Sequence, residues 1–216
     1  ARLAAVIYIA AWLASKGEQL NHVRYGLIPF AIIIGVVAGM VALQPDLSTA
    51  LLLAITGLAM FFYAGGDPVQ IFLSLLIGSS SFGFLAWQLP HARSRLTAYL
   101  VSLRDPTQMP YHVQRAVIAI GEGGILGVGI GSGRLKSGYL PFPHTDSILA
   151  VIGEEAGLLG ILLVIALFIL LAHRGYRIAL ETADPFGSLL AFGATTMIIT
   201  EALLNIMVMV GLIPFT

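Results

Sequence analysis

The stretch RLKSGYLPFPHTDSILAVIGEEAG, residues 134–157, passes from a polar loop into an apolar helix within a few residues. It begins with two cations, Arg134 and Lys136, and runs through a proline-braced segment to a single acid, Asp146. An apolar segment with two further acids near its start then follows. A polar insert at the mouth of a membrane helix can bring reactive groups to the membrane surface, so we expect the chemistry here.

Most of the remaining chain is apolar. Of its 216 residues, 58% are hydrophobic and 10% are charged, and the mean hydropathy is +0.94. Soluble domains have about 45–50% apolar and about 25% charged residues. We therefore predict an integral membrane protein of the all-α class, because backbone groups in lipid must be satisfied within helices or closed barrels and the alternating barrel pattern is absent. The net charge of zero says nothing about partners, and we expect no nucleic-acid partner; the lack of cysteine excludes disulfides.

Six apolar segments are candidates for bilayer-spanning helices, which need about 20 apolar residues. They are Leu3–Ala14, Gly26–Leu43, Leu47–Ala64, Val69–Leu89, Ile148–Ala172 and Phe186–Ile213. We predict a single transmembrane domain over residues 1–216. Because the chain has no initial Met and starts inside a hydrophobic run, we expect it to be an internal piece of a longer protein.

Three aspartates precede predicted helices. Asp46 follows Pro45, while Asp67 and Asp184 each precede a proline suited to a first helical position. Their ordinary role is to cap the helix that follows.

Residues 90–147 form a long polar segment between the fourth and fifth predicted spans. Within it, residues 113–120 are predicted to form a short helix in the membrane surface, with Gln114 and Arg115 facing the headgroups. The segment holds most of the basic residues of the chain. They are Arg93, Arg95, Arg104, Arg115, Arg134 and Lys136. This excess of cations favours an anionic partner, either a lipid phosphate or a diphosphate substrate.

The short basic connections give the orientation. Residues 16–24 and 173–177 are rich in Lys and Arg and fall on the side of the membrane opposite the long segment. Short basic loops tend to remain cytoplasmic. We therefore expect residues 90–147 to lie outside the cell.

The glycine-dense run at residues 121–133 is not a nucleotide-binding motif. The dinucleotide fingerprint requires a surrounding strand and helix, and a P-loop requires glycine before its lysine, whereas Leu135 precedes Lys136. We interpret the run as a flexible or tightly folded loop whose bare backbone allows a close approach.

Asp146 has two interpretations of equal weight from the local sequence. It is either the N-cap of the fifth span or a general base. Partial desolvation at a membrane boundary raises the pKa of a carboxyl group and makes it a better proton acceptor. His144 with Asp146 is weak evidence for a protein-bound metal. A divalent ion carried by a diphosphate substrate is the better hypothesis, since it binds through a carboxylate and phosphate oxygens.

Three glutamates lie within predicted spans. Glu201 and Asn205 share a helix face, and a glutamate at that depth costs on the order of 2.5–3.5 kcal/mol unless it is paired or lines a wet cavity. We expect either a protonated Glu201 bonded to Asn205 or a cavity role. Glu154 and Glu155 lie near the mouth of the fifth span, and we expect one to pair with a loop arginine and the other to line the site.

Ordered short motifs along nearly the whole chain resemble the SEDS family, whose multi-pass proteins polymerise bacterial cell-wall glycan. The motifs are Gln44-Pro45-Asp46-Leu47, Asp105-Pro106, Tyr111, Gln114, Ala119-Ile120-Gly121, Gly123-Gly124, Gly127-x-Gly129, Tyr139-Leu140-Pro141, His144-Thr145-Asp146, Gly153-Glu154-Glu155, Ala202, Asn205 and Gly211-Leu212-Ile213-Pro214. The spacing is closer to division-type than to elongation-type members. The departures from the family pattern are Ser48, Glu122, Ser147, Ala156 and Glu201.

The resemblance implies a ten-helix protein of the bacterial cytoplasmic membrane, with this chain as its fourth to ninth helices. It places the essential aspartate of the family at Asp146. The implied substrate is lipid II, which extends a nascent glycan strand and releases undecaprenyl diphosphate. The implied partner is a class B penicillin-binding protein, alongside other division or elongation membrane proteins and membrane lipids.

The first hypothesis is therefore an inverting glycosyltransferase with Asp146 as its base. Arg134 and Lys136 are the first choices to bind the diphosphate, with no covalently bound cofactor and with Mg²⁺ or Mn²⁺ carried by the substrate. The other candidate substrate-binding residues are Arg104, Arg95, His144, Glu154, Glu155, Gln114 and Asp46. A flippase or transporter is the alternative, although no internal repeat is visible. A scaffold ranks last because it leaves Asp146 without a role.

Overall fold

The computed structural model describes residues 2–43, 46–88, 90–105, 111–133 and 148–213. Its regular elements in those ranges are all helical, which confirms the predicted all-α class. They are α1 (Arg2–Lys16), α2 (Leu27–Leu43), α3 (Leu47–Tyr63), α4 (Pro68–Gln88), α5 (Pro90–Arg104), α6 (Tyr111–Gly123), α7 (Ile148–Glu181) and α8 (Pro185–Met209). A short 3₁₀ turn, Gly17–Asn21, follows α1.

Each of the six apolar segments forms a helix, and the ends agree within a few residues except at α7 and α8. Helix α7 continues to Glu181, well past the predicted end at Ala172, and α8 ends at Met209. The short helix predicted at residues 113–120 is α6. The sequence did not predict α5, which occupies the start of the long polar segment.

Helices α7 and α8 are long and apolar enough to cross a membrane. Three shorter apolar stretches, Leu27–Val41, Ser48–Tyr63 and Pro68–Ser81, lie in α2, α3 and α4. These lengths are consistent with part of a membrane helix bundle.

The three aspartates cap their helices, as predicted. The Asp46 carboxylate accepts a hydrogen bond from the Thr49 backbone N–H at 3.0 Å at the start of α3. Asp67 accepts from the Val69 N–H at 2.8 Å, and Asp184 accepts from the Gly187 N–H at 2.7 Å. Each carboxylate satisfies one of the N–H groups that a helix start leaves without an intrahelical partner.

The chain divides into two compact units. The first comprises residues 1–93 and 171–201, and the second comprises residues 94–170 and 202–216. The prediction of a single transmembrane domain stays a prediction.

The first unit packs α1 to α4 with the end of α7 and the start of α8. Phe30 of α2 stacks on Phe61 of α3, with ring centroids 4.6 Å apart, and both side chains are fully buried. Tyr63 stacks on Phe192 of α8 at 4.1 Å, and its hydroxyl lies 2.9 Å from the Ser188 hydroxyl. These aromatic contacts join α3 to both α2 and α8.

The end of α7 approaches the start of α8 closely at small residues. The Ser188 hydroxyl donates to the Ala179 carbonyl at 2.7 Å. A Cβ on Gly175 would lie 2.1 Å from the Thr195 hydroxyl oxygen and 3.0 Å from its Cβ. Small residues allow membrane helices to approach this closely.

The second unit has its own core of small and aliphatic side chains from α6, the start of α7 and the end of α8. It is formed by Ala116, Ala119, Leu149, Ala150, Val151, Val208 and Met209. The Tyr99 hydroxyl of α5 donates to the Leu212 carbonyl beyond α8 at 2.6 Å. Helix α5 is thereby attached to the end of α8.

Gly175→Ala is expected to lower the stability of the protein by about 1–3 kcal/mol, because the added methyl group overpacks the contact with Thr195. Thermal unfolding in detergent measures the change. Gly35→Ala in α2 is the matched control, since nothing lies within 4 Å of its Cβ position. It should leave the midpoint unchanged or raise it, since alanine is the better helix former. Equal midpoints for the two variants would contradict the packing described.

Candidate functional site

Helix α7 is broken at Gly157, nine residues after it begins. Gly157 has φ 66° and ψ −161°, which no residue of a regular helix adopts. This backbone region is essentially restricted to glycine. The break separates a short first half of α7, which carries Glu154 and Glu155, from the long second half.

The residues after α6 supply the hydrogen bonds that the break removes. We call residues 124–133 the glycine loop. In an unbroken helix, the N–H groups of Leu158 and Leu159 would donate to the carbonyls of Glu154 and Glu155. Here those two carbonyls accept instead from loop N–H groups. The bonds run from Val128 N to Glu154 O at 2.9 Å and from Gly129 N to Glu155 O at 3.1 Å.

The exchange is reciprocal. The N–H of Leu158 donates to the Gly124 carbonyl at 2.9 Å, and the N–H of Leu159 donates to the Ile125 carbonyl at 3.3 Å. The loop thus pairs with both donors and both acceptors that the broken ladder releases. Buried backbone groups require such partners.

Glycines make this approach possible. A Cβ on Gly127 would lie 2.1 Å from the Glu155 carbonyl oxygen, and one on Gly123 would lie 2.0 Å from the Gly153 carbonyl oxygen. A Cβ on Gly157 would lie 2.5 Å from both the Gly127 nitrogen and the Ile125 oxygen. The interpretation of the glycine run as a tightly folded loop that permits a close approach is confirmed, and the first half of α7 is what comes close.

Two buried carboxyl groups lie against the end of the glycine loop. The exposed fractions of Glu154 and Glu155 are 2% and 8%. A Cβ on Gly133 would lie 2.9 Å from Glu154 Oε2 and 3.0 Å from Glu155 Oε1. Both acids therefore lie beside the residue that precedes Arg134. The predicted pairing of one of them with a loop arginine stays a prediction.

The other predicted site residues fall into two groups. Four of them lie outside the described residues, namely Arg134, Lys136, His144 and Asp146. The side chain of Arg104 is also outside the described part of the chain. The remaining residues are described, and the structure does not test a substrate role for any of them. Arg95 on α5 and Gln114 on α6 are exposed, and Asp46 is exposed while it caps α3.

Glu201 has a partner that sequence reasoning missed. It forms an ion pair with Arg2, whose guanidinium also donates to the Thr49 hydroxyl at 2.7 Å. The sequence led us to expect either a protonated Glu201 bonded to Asn205 or a Glu201 that lines a cavity. The ion pair with Arg2 takes the place of the bond to Asn205. The only signal in the sequence was a lone cation at the start of an apolar helix, far from Glu201 along the chain.

The structure gives no protein metal centre in the ranges it describes. Within them, no group of three or more His, Asp or Glu side chains is placed to hold an ion.

Comparison with known proteins gives a match over the whole chain. The FtsW/RodA/SpoVE family, described as cell cycle proteins, matches residues 1–216. A probable peptidoglycan glycosyltransferase FtsW of Geobacter metallireducens is 36% identical over 214 residues, which cover 99% of this chain and 57% of that protein. The stage V sporulation protein E of Bacillus subtilis is 36% identical over 215 residues, which cover 100% of this chain and 59% of that protein.

The fold is also similar to a solved structure. It comes from work on the structural coordination of polymerization and crosslinking by a peptidoglycan synthase complex, and it matches with a TM-score of 0.72 at 26% identity. The match covers 100% of this chain and 60% of that one. The chain thus spans less than two thirds of the length of the relatives that it matches.

Gly127→Ala is expected to destabilise the contact between the glycine loop and α7. The substitution adds the clash with the Glu155 carbonyl to the strain of an alanine at φ 80°. We expect a loss of about 2–5 kcal/mol, measured as thermal stability in detergent.

Gly131→Ala is the control for that measurement. Its φ is 86° and nothing lies within 4 Å of its Cβ position, so it should show only the strain of about 1–2 kcal/mol. If both substitutions cost the same, the close approach of the loop to α7 is not as described.

Proposed function

The chain belongs to the FtsW/RodA/SpoVE family of cell cycle proteins, and we propose that it is a peptidoglycan glycosyltransferase that polymerises glycan strands. The observation that carries the proposal is the similarity over the whole chain to proteins named as probable peptidoglycan glycosyltransferases. Relatives named FtsW and stage V sporulation protein E are each 36% identical to this chain. The assignment to the division type stays a prediction.

The proposed substrate is lipid II, and the reaction inverts the anomeric centre. Asp146 takes the proton from the 4-hydroxyl of the acceptor sugar while that oxygen attacks the anomeric carbon of the donor. The bond from the anomeric carbon to the diphosphate oxygen breaks, and undecaprenyl diphosphate leaves with the electron pair. A positioned base of this kind contributes about 10²–10⁴-fold to a rate.

The departing diphosphate needs positive charge beside it. We assign this role first to Arg134 and Lys136 and second to Arg104 and Arg95, because charge-assisted hydrogen bonds to phosphate are the strong ones. Mg²⁺ or Mn²⁺ carried by the diphosphate would neutralise further charge, and it would bind through one carboxylate and phosphate oxygens.

The broken α7 supports this assignment through the two residues that flank residues 134–147. Gly133, on one side, contacts Glu154, and α7 begins at Ile148 on the other side. Ile148 precedes Glu154 by six residues, which is about 9 Å along a helix. The residues before and after the segment with the proposed base and two cations therefore lie beside, or in, the same short half-helix.

The proposed setting is the bacterial cytoplasmic membrane, crossed several times. The substrate has an apolar tail that must stay in lipid and sugars that react in water, so a reactive loop at a helix mouth suits it. A class B penicillin-binding protein is the proposed partner, since the similar solved structure belongs to a synthase complex that couples polymerization to crosslinking.

Asp146→Asn in the complete protein should reduce lipid II polymerisation by at least about 10²-fold, because the amide cannot accept the proton. Glycan products from purified lipid II, separated by gel, measure the rate. Asp184→Asn is the control, since asparagine also caps a helix. It should polymerise at the normal rate. An Asp146→Asn protein that inserts, binds its partner and makes strands at the normal rate would show that Asp146 is not the base.

The alternative is a flippase or transporter of lipid-linked sugars. The break in α7 is the observation that favours it, because transporters build their sites from discontinuous helices. Movement of labelled lipid II across liposomes separates the two functions, and Glu201→Gln is the informative variant because it removes the carboxylate bound to Arg2. Lipid II movement that Glu201→Gln abolishes, without any polymerisation by the unmodified protein, would favour transport.

A further inference from the structure

The backbone groups at the α7 break can form a second set of hydrogen bonds. Four backbone groups of α7 that bond to the loop would pair with each other in a continuous helix. They are the carbonyls of Glu154 and Glu155 and the N–H groups of Leu158 and Leu159. Each of them therefore has one alternative partner, which lies four residues away in α7 itself.

We propose that α7 and the glycine loop form a two-state backbone latch. In the latched state, which the structure shows, four hydrogen bonds join residues 124–129 to α7, and Gly157 holds a positive φ. In the released state, Gly157 takes a helical conformation and α7 closes its own ladder. The loop then leaves α7 and bonds to water.

The surroundings of the loop allow this release. Gly124 and Gly129 are exposed, and the side chains of Ile125, Leu126 and Val128 are exposed as well. Backbone contacts, not buried side chains, therefore hold the loop against α7. The groups that release would free lie at the surface of their unit, where solvent can satisfy them.

The four glycines at the contact between the loop and α7 are compatible with both the latched and the released state. Gly123, Gly127 and Gly133 let the loop lie against α7, and none of them is needed by a continuous α7. Gly157 is the one residue of the exchange that changes its backbone region, and glycine populates positive and negative φ about equally. The latch thus acts as a conformational device that moves the loop relative to Glu154 and Glu155.

Hydrogen exchange at single-residue resolution tests the latch in the complete protein in lipid nanodiscs. Release exposes the amides of Val128 and Gly129, whereas those of Leu158 and Leu159 pass from loop carbonyls to helical ones and stay protected. We expect the two loop amides to exchange more than about tenfold faster than the two α7 amides, because release is a local opening. Equal rates, or faster exchange in α7, would overturn the proposal.

Two substitutions should shift the latch in opposite directions. Gly157→Ala disfavours the positive φ and so favours release, which should widen the difference between loop and α7 amides. Leu158→Pro removes one N–H bond from each state, to the Gly124 carbonyl in the latched one, but it disfavours release, because proline inside a continuous helix also clashes with the carbonyl four residues earlier. In the latched state residue 158 is the first of a helical half, where proline is favoured. This variant should bring the exchange of Val128 and Gly129 close to that of Leu159.

Gly121→Ala in α6 is the control, since nothing lies within 4 Å of its Cβ position, and it should leave all four rates unchanged. If Gly157→Ala fails to fold, the unmodified protein and Leu158→Pro still decide the question. A Leu158→Pro protein that keeps the original difference in rates would contradict the latch. The exchange rates do not depend on polymerisation. Rates that contradict the latch would therefore leave the proposed glycosyltransferase function intact, and an absence of polymerisation would leave the latch intact.

Discussion

Backbone hydrogen bonding at a broken membrane helix is the constraint on which the path of the second unit depends. No charged residue lies between Glu155 and His173, so the break at Gly157 occurs where the uncharged stretch of α7 begins. The carbonyl and N–H groups that the break takes out of the helical ladder need new hydrogen-bond partners. The glycine loop supplies them, and its path after α6 follows from that requirement.

The break also explains why two acids can be buried at the mouth of this helix. Glu154 and Glu155 end the first half of α7, and the loop that pairs with their carbonyls continues to Gly133 beside their carboxyl groups. One backbone arrangement therefore brings the two acids together with the glycine loop and with Gly133, the last residue before the cationic segment. The proposed glycosyl transfer uses the segment that this arrangement flanks.

The sequence predicted the helices and the caps well because both depend on local chemistry. Apolar length marked the spans, and Asp46, Asp67 and Asp184 marked three helix starts. The break at Gly157 could not be predicted, since glycine is common in membrane helices and the partners of its ladder lie about thirty residues earlier in the chain. The pairing of Glu201 with Arg2 depends on tertiary structure in the same way. Helix α5 was missed because its basic residues lie at both ends and its apolar residues form no clear face.

A distance measurement in bilayers tests the central claim most directly. With ¹³C at the Glu154 carbonyl and ¹⁵N at the Val128 or Leu158 amide, solid-state NMR reports which nitrogen is hydrogen-bonded to that carbonyl. The structure has Val128 N 2.9 Å from Glu154 O, so strong coupling to Val128 should dominate. Strong coupling to Leu158, with none to Val128, would show that α7 is continuous and that the loop does not complete its ladder.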